Sequence, residues 1–219
     1  MKNIVFDLDG TLADTSGDLI AAANFCFENM GYGPLLNQKT DKLTAFHGGR
    51  AMLRKGLERA KIIFDEEVID SEYHVLLDYY SENIDKETYL YDGVLDALER
   101  LRNDGFNLGV CTNKPEDLAE NLLKKLNIRD YFKAMLGADT LNVRKPHRRH
   151  LLETIKQIGG LPETSVLIGD TETDRRAAEN ANVTSILVTF GPEGMGIKRL
   201  KANGYLDHYD DCLLYTSDA

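Results

Sequence analysis

Apolar positions fall into short, nearly continuous runs in some parts of this chain and into spaced stripes in others, and the two patterns predict different elements. Lys2–Leu8 carries Ile4, Val5, Phe6 and Leu8 and then meets acids and Gly10. A run of that kind suits a strand buried on both faces, as in a parallel sheet. Similar runs recur at Phe106–Cys111, Ser165–Ile168 and Ser185–Val188. Between them, Val94, Leu95, Leu98 and Leu101 share one helix face, as do Leu118, Leu122, Leu123 and Leu126. Strands alternating with helices predict an α/β fold with a doubly wound, mostly parallel sheet and right-handed crossovers.

One region breaks the alternation. From about Ser16 to Ile84 there is no strand pattern, only three helical stripes. Leu19, Ala23, Phe27 and Met30 form the first; Met52, Leu53, Gly56, Leu57 and Ala60 form the second. Val68, Ile69, Tyr73, Leu76, Leu77 and Tyr80 form the third, and Gly31-Tyr32-Gly33-Pro34 punctuates the first two. The predicted organisation is therefore a discontinuous α/β core over 1–15 and 85–219, with an all-helical insert over 16–84. The final Cys212–Ala219 continues no pattern, reads like a cloning or sequencing scar, and carries none of this argument.

Composition narrows the function classes. The 219 residues include 36 acids against 26 Lys and Arg, a formal charge of -10. Such a field repels polyphosphate backbones and argues against a nucleic-acid partner. An anionic substrate would need a local cationic site or a metal. Cys26, Cys111 and Cys212 lie far apart with no ligand-like spacing, which fits a reducing compartment. The amino-terminal run meets acids at once, unlike a signal peptide, and no stretch reaches transmembrane length, so a cytoplasmic protein without membrane contact is expected. Whether it is a monomer or a homodimer is not legible.

The chemistry concentrates after the predicted strands. In Asp7-Leu8-Asp9-Gly10-Thr11 the alternation of a strand points Asp7 and Asp9 the same way, into the crevice beyond its carboxyl end. Two such carboxylates repel each other unless a cation or a shared proton intervenes, and Gly10 lets the chain turn away. An ordinary Asp/Gly turn is the plain alternative. After the next strand come Thr112, Asn113 and Lys114, where a hydroxyl and backbone N–H groups can cradle phosphate oxygens or simply cap a helix. Lys145 can balance negative charge in the crevice, or be one solvated member of the basic run 144–150. Asp170 and Asp174 either cap a helix or join the first pair in a hard oxygen site suited to Mg2+. In the insert, Arg50 after Gly48 and Gly49 can grip a substrate carboxylate or sit in a solvated turn.

Taken together, FDLDGT, Thr112-Asn113, Lys145-Pro146 and GDTETD resemble the haloacid dehalogenase superfamily, in particular its capped, phosphoglycolate phosphatase-like members. The resemblance runs to about residue 211 and implies a Rossmann-like core under a helical cap domain. It implies that Asp7 is a nucleophile that accepts the phosphoryl group of a small phosphorylated metabolite, and that Asp9 is the general acid and base. By the same resemblance Thr112 and Lys145 hold the phosphoryl, and Gly10, Asn113, Lys114, Gly48 and Arg50 bind substrate. Mg2+ would be held by Asp7, the Asp9 carbonyl, Asp170 and Asp174. Dehalogenases of the superfamily lack the second acid, so Asp9 favours a phosphatase, with 2-phosphoglycolate as the expected substrate. A phosphomutase, a pyrophosphatase and a non-enzymatic phospho-acceptor module are the rivals.

Two departures from the family pattern stand out: Arg148 where relatives often have Pro, and Asn182 where they often have Gly at a helix end. Asn tolerates the left-handed conformation nearly as well. Other signals carry less. His147 and His150 share a helix face, but surrounding arginines would repel a cation. The Gly191–Gly196 segment has the wrong glycine order for a dinucleotide loop and reads as a loop over the crevice. Cys111 reads as a buried strand residue, not a nucleophile.

Overall fold

The computed structural model describes residues 3–215, with side chains through Cys212; Lys2 of the first apolar run and Thr216–Ala219 lie outside the described residues. The chain divides into two compact units, Met1–Asp14 with Leu90–Ala219, and Thr15–Tyr89. In chain order the elements are strands β1 (Asn3–Phe6) and β2 (Ala13–Asp14), then helices α1 (Ser16–Asn29), α2 (Lys42–Ala45), α3 (Gly49–Arg59) and α4 (Glu66–Glu82). Strand β3 (Tyr89–Leu90), helix α5 (Val94–Asn103), β4 (Asn107–Cys111), α6 (Glu116–Lys125) and β5 (Ala134–Leu136) follow. Helix α7 (Arg148–Gln157), β6 (Ser165–Gly169), α8 (Glu172–Ala181), β7 (Thr184–Val188) and β8 (Gly204–Leu206) complete the series.

The first unit is built on a six-stranded sheet in the order β5-β4-β1-β6-β7-β8. All five pairings are parallel. Asn3 to Phe6 pair with Asn107 to Val110 on one side and with Ser165 to Ile168 on the other. Strand β1 is thus central, with later strands added on both flanks, and such a switch point opens a crevice at the strands' carboxyl ends. The continuous apolar runs follow from that position: all four β1 residues and all five of β6 are buried. Val5, Cys111, Leu136 and Leu167 pack with Leu151 and Ile155 of α7 and with Ala177, Ala178 and Ala181 of α8. Gly109 lets α7 approach the sheet, since a Cβ there would stand 2.9 Å from Ile158 Cγ2. Helix α8 ends on Asn182 at φ 54° and ψ 44°, the left-handed conformation anticipated for it.

The second unit holds α1 to α4, where the stripes predict three helices and the four-residue α2 is an addition. Helix α3 crosses α1 so closely that a Cβ on Gly56 would lie 2.2 Å from the Phe27 ring. Helix α4 starts on Asp65, whose side chain accepts from Val68 N at 3.0 Å. The buried Asp41 carboxylate accepts from Arg59 at 2.6 and 2.7 Å and lies 3.1 Å from Lys55 Nζ. The unit runs five residues beyond the expected Ile84, for a clear reason. The buried Asp18 carboxylate of α1 accepts from Glu87 N and from both N and Oγ1 of Thr88, tying that segment back to α1.

At the carboxyl end of the chain, Cys212 is buried in a 3-10 helix over Tyr209–Tyr215, so the fold reaches into the segment set aside as a scar. Among the described residues no helix is long and apolar enough to cross a membrane.

Candidate active site

Three strands deliver the principal groups, each at the first position past its carboxyl end: Asp7 after β1, Thr112 after β4 and Asp170 after β6. Backbone bonds continue the sheet by one rung, with Asp7 N donating to Ile168 O and Thr112 N to Leu136 O. The side chains are therefore aimed by the sheet itself. All three are buried.

Asp7, Asp170 and Asp174 offer carboxylate oxygens that all lie within 4.8 Å of one another. Lys145 Nζ stands among them, 2.8 Å from Asp7 Oδ1 and 2.7 Å from Asp174 Oδ1. Asp174 also closes a capping box at the start of α8: its Oδ2 accepts from Thr171 Oγ1 at 2.6 Å and from Thr171 N at 3.1 Å. Asp174 thus caps the helix with one oxygen and meets Lys145 with the other. Thr11 Oγ1 donates to Asp170 Oδ1 at 3.1 Å, an anchor that the sequence reading did not single out. Gly10 is required twice over. Its φ is +82°, and a Cβ there would fall 2.2 Å from Asp170 Oδ2. Gly191 closes in similarly, since its Cβ would stand 2.8 Å from Gly10 O and 3.2 Å from Asp170 Cβ.

Charge does not balance in this cluster. If ionised, three buried carboxylates face one ammonium, leaving an excess of two negative charges. Burial pushes Asp7 up to about 6 against the pull of Lys145, and Asp174 adds to the rise. Asp170 is raised well above its ordinary value, first by burial and then by Asp174 and Asp7. Burial works against the Lys145 charge, but Asp174 and Asp7 outweigh it and hold the ammonium above its ordinary value. Asp170 Oδ2 is buried with no hydrogen-bond partner. Hard oxygens, one of them orphaned, with a divalent deficit of positive charge fit a divalent cation such as Mg2+. Asp7, Asp170 and Asp174 would hold it.

Asp9 lies apart from that cluster and is partly exposed; Lys114 Nζ stands 2.9 Å from its Oδ1. The Thr112 hydroxyl accepts from Lys114 N at 3.2 Å. Asn113 is exposed and points its amide to Lys145 O at 3.0 Å, so it braces the lysine loop. His150, set aside as a metal ligand, has a different place. It is fully buried, accepts at Nδ1 from Lys145 N at 3.2 Å, and donates from Nε2 to Gly137 O at 2.9 Å. Burial, and then the Lys145 charge, push the imidazole down to about 4, so it is neutral. His147 faces the helix start instead, its Nδ1 accepting from Arg149 N. Burial pushes the Cys111 thiol up to about 12, which rules out a ready thiolate.

Gly48 and Arg50 belong to the helical unit. Gly48 sits at φ +95° just before α3. Arg50 donates from Nε to Asp70 at 2.8 Å, and its guanidinium lies 3.8 Å from the centre of the Tyr73 ring. The contact to Asp70 is an exposed pair made through Nε.

The chain is similar to known proteins over most of its length. The family model for haloacid dehalogenase-like hydrolases matches residues 4–188. A phosphoglycolate phosphatase of Agrobacterium fabrum is 36% identical over 205 residues, covering 94% of this chain and 88% of that protein. One of Aquifex aeolicus is 35% identical over 193 residues, covering 87% and 86%. Among solved structures, a predicted phosphoglycolate phosphatase from Haemophilus somnus superposes with a TM-score of 0.87 at 26% identity, covering 99% of this chain and 98% of that one.

Proposed function

The chain belongs to the haloacid dehalogenase-like hydrolases and is a phosphatase of that family, and we propose that it hydrolyses 2-phosphoglycolate through a phospho-aspartate on Asp7, with Mg2+ as cofactor. The observation that carries this reading is the cluster of buried carboxylates, Asp7, Asp170 and Asp174, around Lys145 beyond the ends of β1 and β6. The substrate rests on the phosphoglycolate phosphatases named among its relatives.

In this mechanism an Asp7 oxygen attacks phosphorus as the bond to the ester oxygen breaks. Asp9 gives its proton to that departing oxygen, which leaves as the alcohol of glycolate. Asp9, now a carboxylate, takes a proton from water as the water oxygen attacks the phosphorus of the acyl phosphate. Inorganic phosphate leaves, the Asp7 carboxylate returns, and Asp9 is protonated for the next cycle. Splitting one hydrolysis into two displacements lowers each barrier. Lys145 and the Thr112 hydroxyl hold the equatorial phosphoryl oxygens, where positioning and charge stabilisation supply most of the rate. Gly10 keeps the approach to phosphorus open, and Asn113 sets the Lys145 loop. When bound by Asp7, Asp170, Asp174 and the Asp9 carbonyl, magnesium supplies the positive charge that lets the Asp7 carboxylate meet an anionic phosphate.

The test is phosphate release from phosphoglycolate, sugar phosphates, nucleotides and pyrophosphate, with and without Mg2+, for wild type and Asp7→Asn. Magnesium-dependent release that is fastest with phosphoglycolate and abolished in Asp7→Asn is expected. Release that survives in Asp7→Asn would remove the nucleophile, and a better substrate in the panel would remove the phosphoglycolate assignment.

A further inference from the structure

Lysine is used twice at the strand ends, and the two ammonium groups do different work. Lys145 is spent on Asp7 and Asp174, the carboxylates that meet the phosphoryl end. Lys114 is spent on Asp9, the group that meets the leaving oxygen. Its loop is fixed from both sides: Lys114 N donates to Thr112 Oγ1, and Lys114 O accepts from Ala138 N at 2.8 Å. The side chain is only 4% exposed, so the ammonium is held in place and not swung in from solvent.

An acid that protonates the leaving oxygen must come within hydrogen-bond distance of it. With Lys114 Nζ 2.9 Å from Asp9 Oδ1, that oxygen then lies within about 6 Å of the ammonium. Whatever is attached to the leaving oxygen therefore extends into the neighbourhood of a buried positive charge. A carboxylate one carbon beyond the ester carbon bridges that gap, and a charged partner there is the strong kind of hydrogen bond. A neutral substituent leaves the ammonium with less than it could bind, which is how such sites discriminate. The need for the device is general, since a chain with a net charge of -10 repels a doubly anionic ester until a local cation intervenes.

We propose that Lys114 is the specificity-determining residue for the leaving group, selecting phosphate esters of short 2-hydroxy carboxylates by pairing with the carboxylate while Asp9 serves the ester oxygen. This inference rests on the phosphatase reading and on the acid role of Asp9. The test compares two esters of equal length, phosphoglycolate and 2-hydroxyethyl phosphate, in wild type, Lys114→Met, Lys114→Gln and Lys114→Arg, each checked for folding by its melting curve. Wild type should prefer phosphoglycolate. Lys114→Met and Lys114→Gln should lower kcat/KM for phosphoglycolate at least tenfold more than for the neutral ester, chiefly through KM, and Lys114→Arg should restore part of the preference. Two neutral variants guard against one of them failing to fold. Equal losses on both esters would overturn the proposal and leave Lys114 as a partner of Asp9 alone. Wild type that hydrolyses neither ester would instead remove the phosphatase reading, and the inference with it.

Discussion

Replacing His150 with glutamine tests whether a neutral buried imidazole braces the lysine loop. The ring is fully buried, takes a hydrogen bond from Lys145 N, and gives one to Gly137 O. Its folded-state pKa is about 4, against an ordinary value of 6.5, because burial and the nearby Lys145 ammonium both oppose a second positive charge. The groups facing it are the Cys111 thiol, 3.6 Å from Nδ1 and neutral at these pH values, and the Lys145 ammonium. Between pH 6.5 and 4 the unfolded chain binds a proton at this site that the folded chain refuses, so stability falls as pH falls. The loss is about 2 kcal/mol by pH 5 and approaches about 3 kcal/mol by pH 4. Glutamine can donate and accept much as the ring does, but it does not titrate. It should cost about 1–2 kcal/mol at pH 7.5 through poorer geometry. The measurement is urea unfolding of both proteins at pH 7.5 and pH 5.0, read by circular dichroism. The carboxylates titrate in both proteins and cancel in the difference. Wild type should lose all of its advantage over His150→Gln between the two pH values, the difference shifting by about 2 kcal/mol in favour of the variant. A gap that stays constant would refute the neutral, buried assignment.

Two further substitutions probe the acidic cluster. Gly10→Ala places a methyl group 2.2 Å from Asp170 Oδ2 at a φ of +82°, so it should destabilise by about 1–3 kcal/mol. It should also cut kcat/KM at least a hundredfold; an alanine variant with wild-type turnover would contradict the close approach. Lys145→Met removes the ammonium that stands among Asp7, Asp170 and Asp174. Turnover should fall by about two to three orders of magnitude, yet added Mg2+ should raise the melting temperature more than in wild type, because less positive charge opposes the ion. A smaller magnesium shift in Lys145→Met would count against those three carboxylates as the metal site.

Much of the architecture is legible because burial on both faces leaves a one-dimensional trace. Strands β1, β4, β6 and β7 stand out as continuous apolar runs. The edge strands β5 and β8 do not, since three residues each, Ala134–Leu136 and Gly204–Leu206, carry no period to read. At the site, the spacing of Asp7 and Asp9 and the acids of GDTETD are local signals. What binds them together is not local. Thr11 meets Asp170 across 159 positions, Lys114 meets Asp9 across more than a hundred, and Gly191 packs against Gly10 only because β7 lies beside β6. His150 shows the limit most plainly. Its flanking arginines argue against a metal, but only the fold turns it inward while His147, three positions earlier, caps the helix.

The carboxylate of Asp18 has a consequence for how this protein can be taken apart. By gathering the backbone at Glu87 and Thr88 against the start of α1, it brings the entrance and the exit of the helical unit together. Gly17 lies so near that a Cβ on it would stand 2.8 Å from Glu87 Cβ. A segment whose two ends are neighbours leaves only a small gap when removed, and that gap can be closed by a short turn. The whole block can therefore be exchanged for another of different length without disturbing the register of the six-stranded sheet. In such a lineage the chemistry at the strand ends can be inherited unchanged while the exchangeable block diversifies.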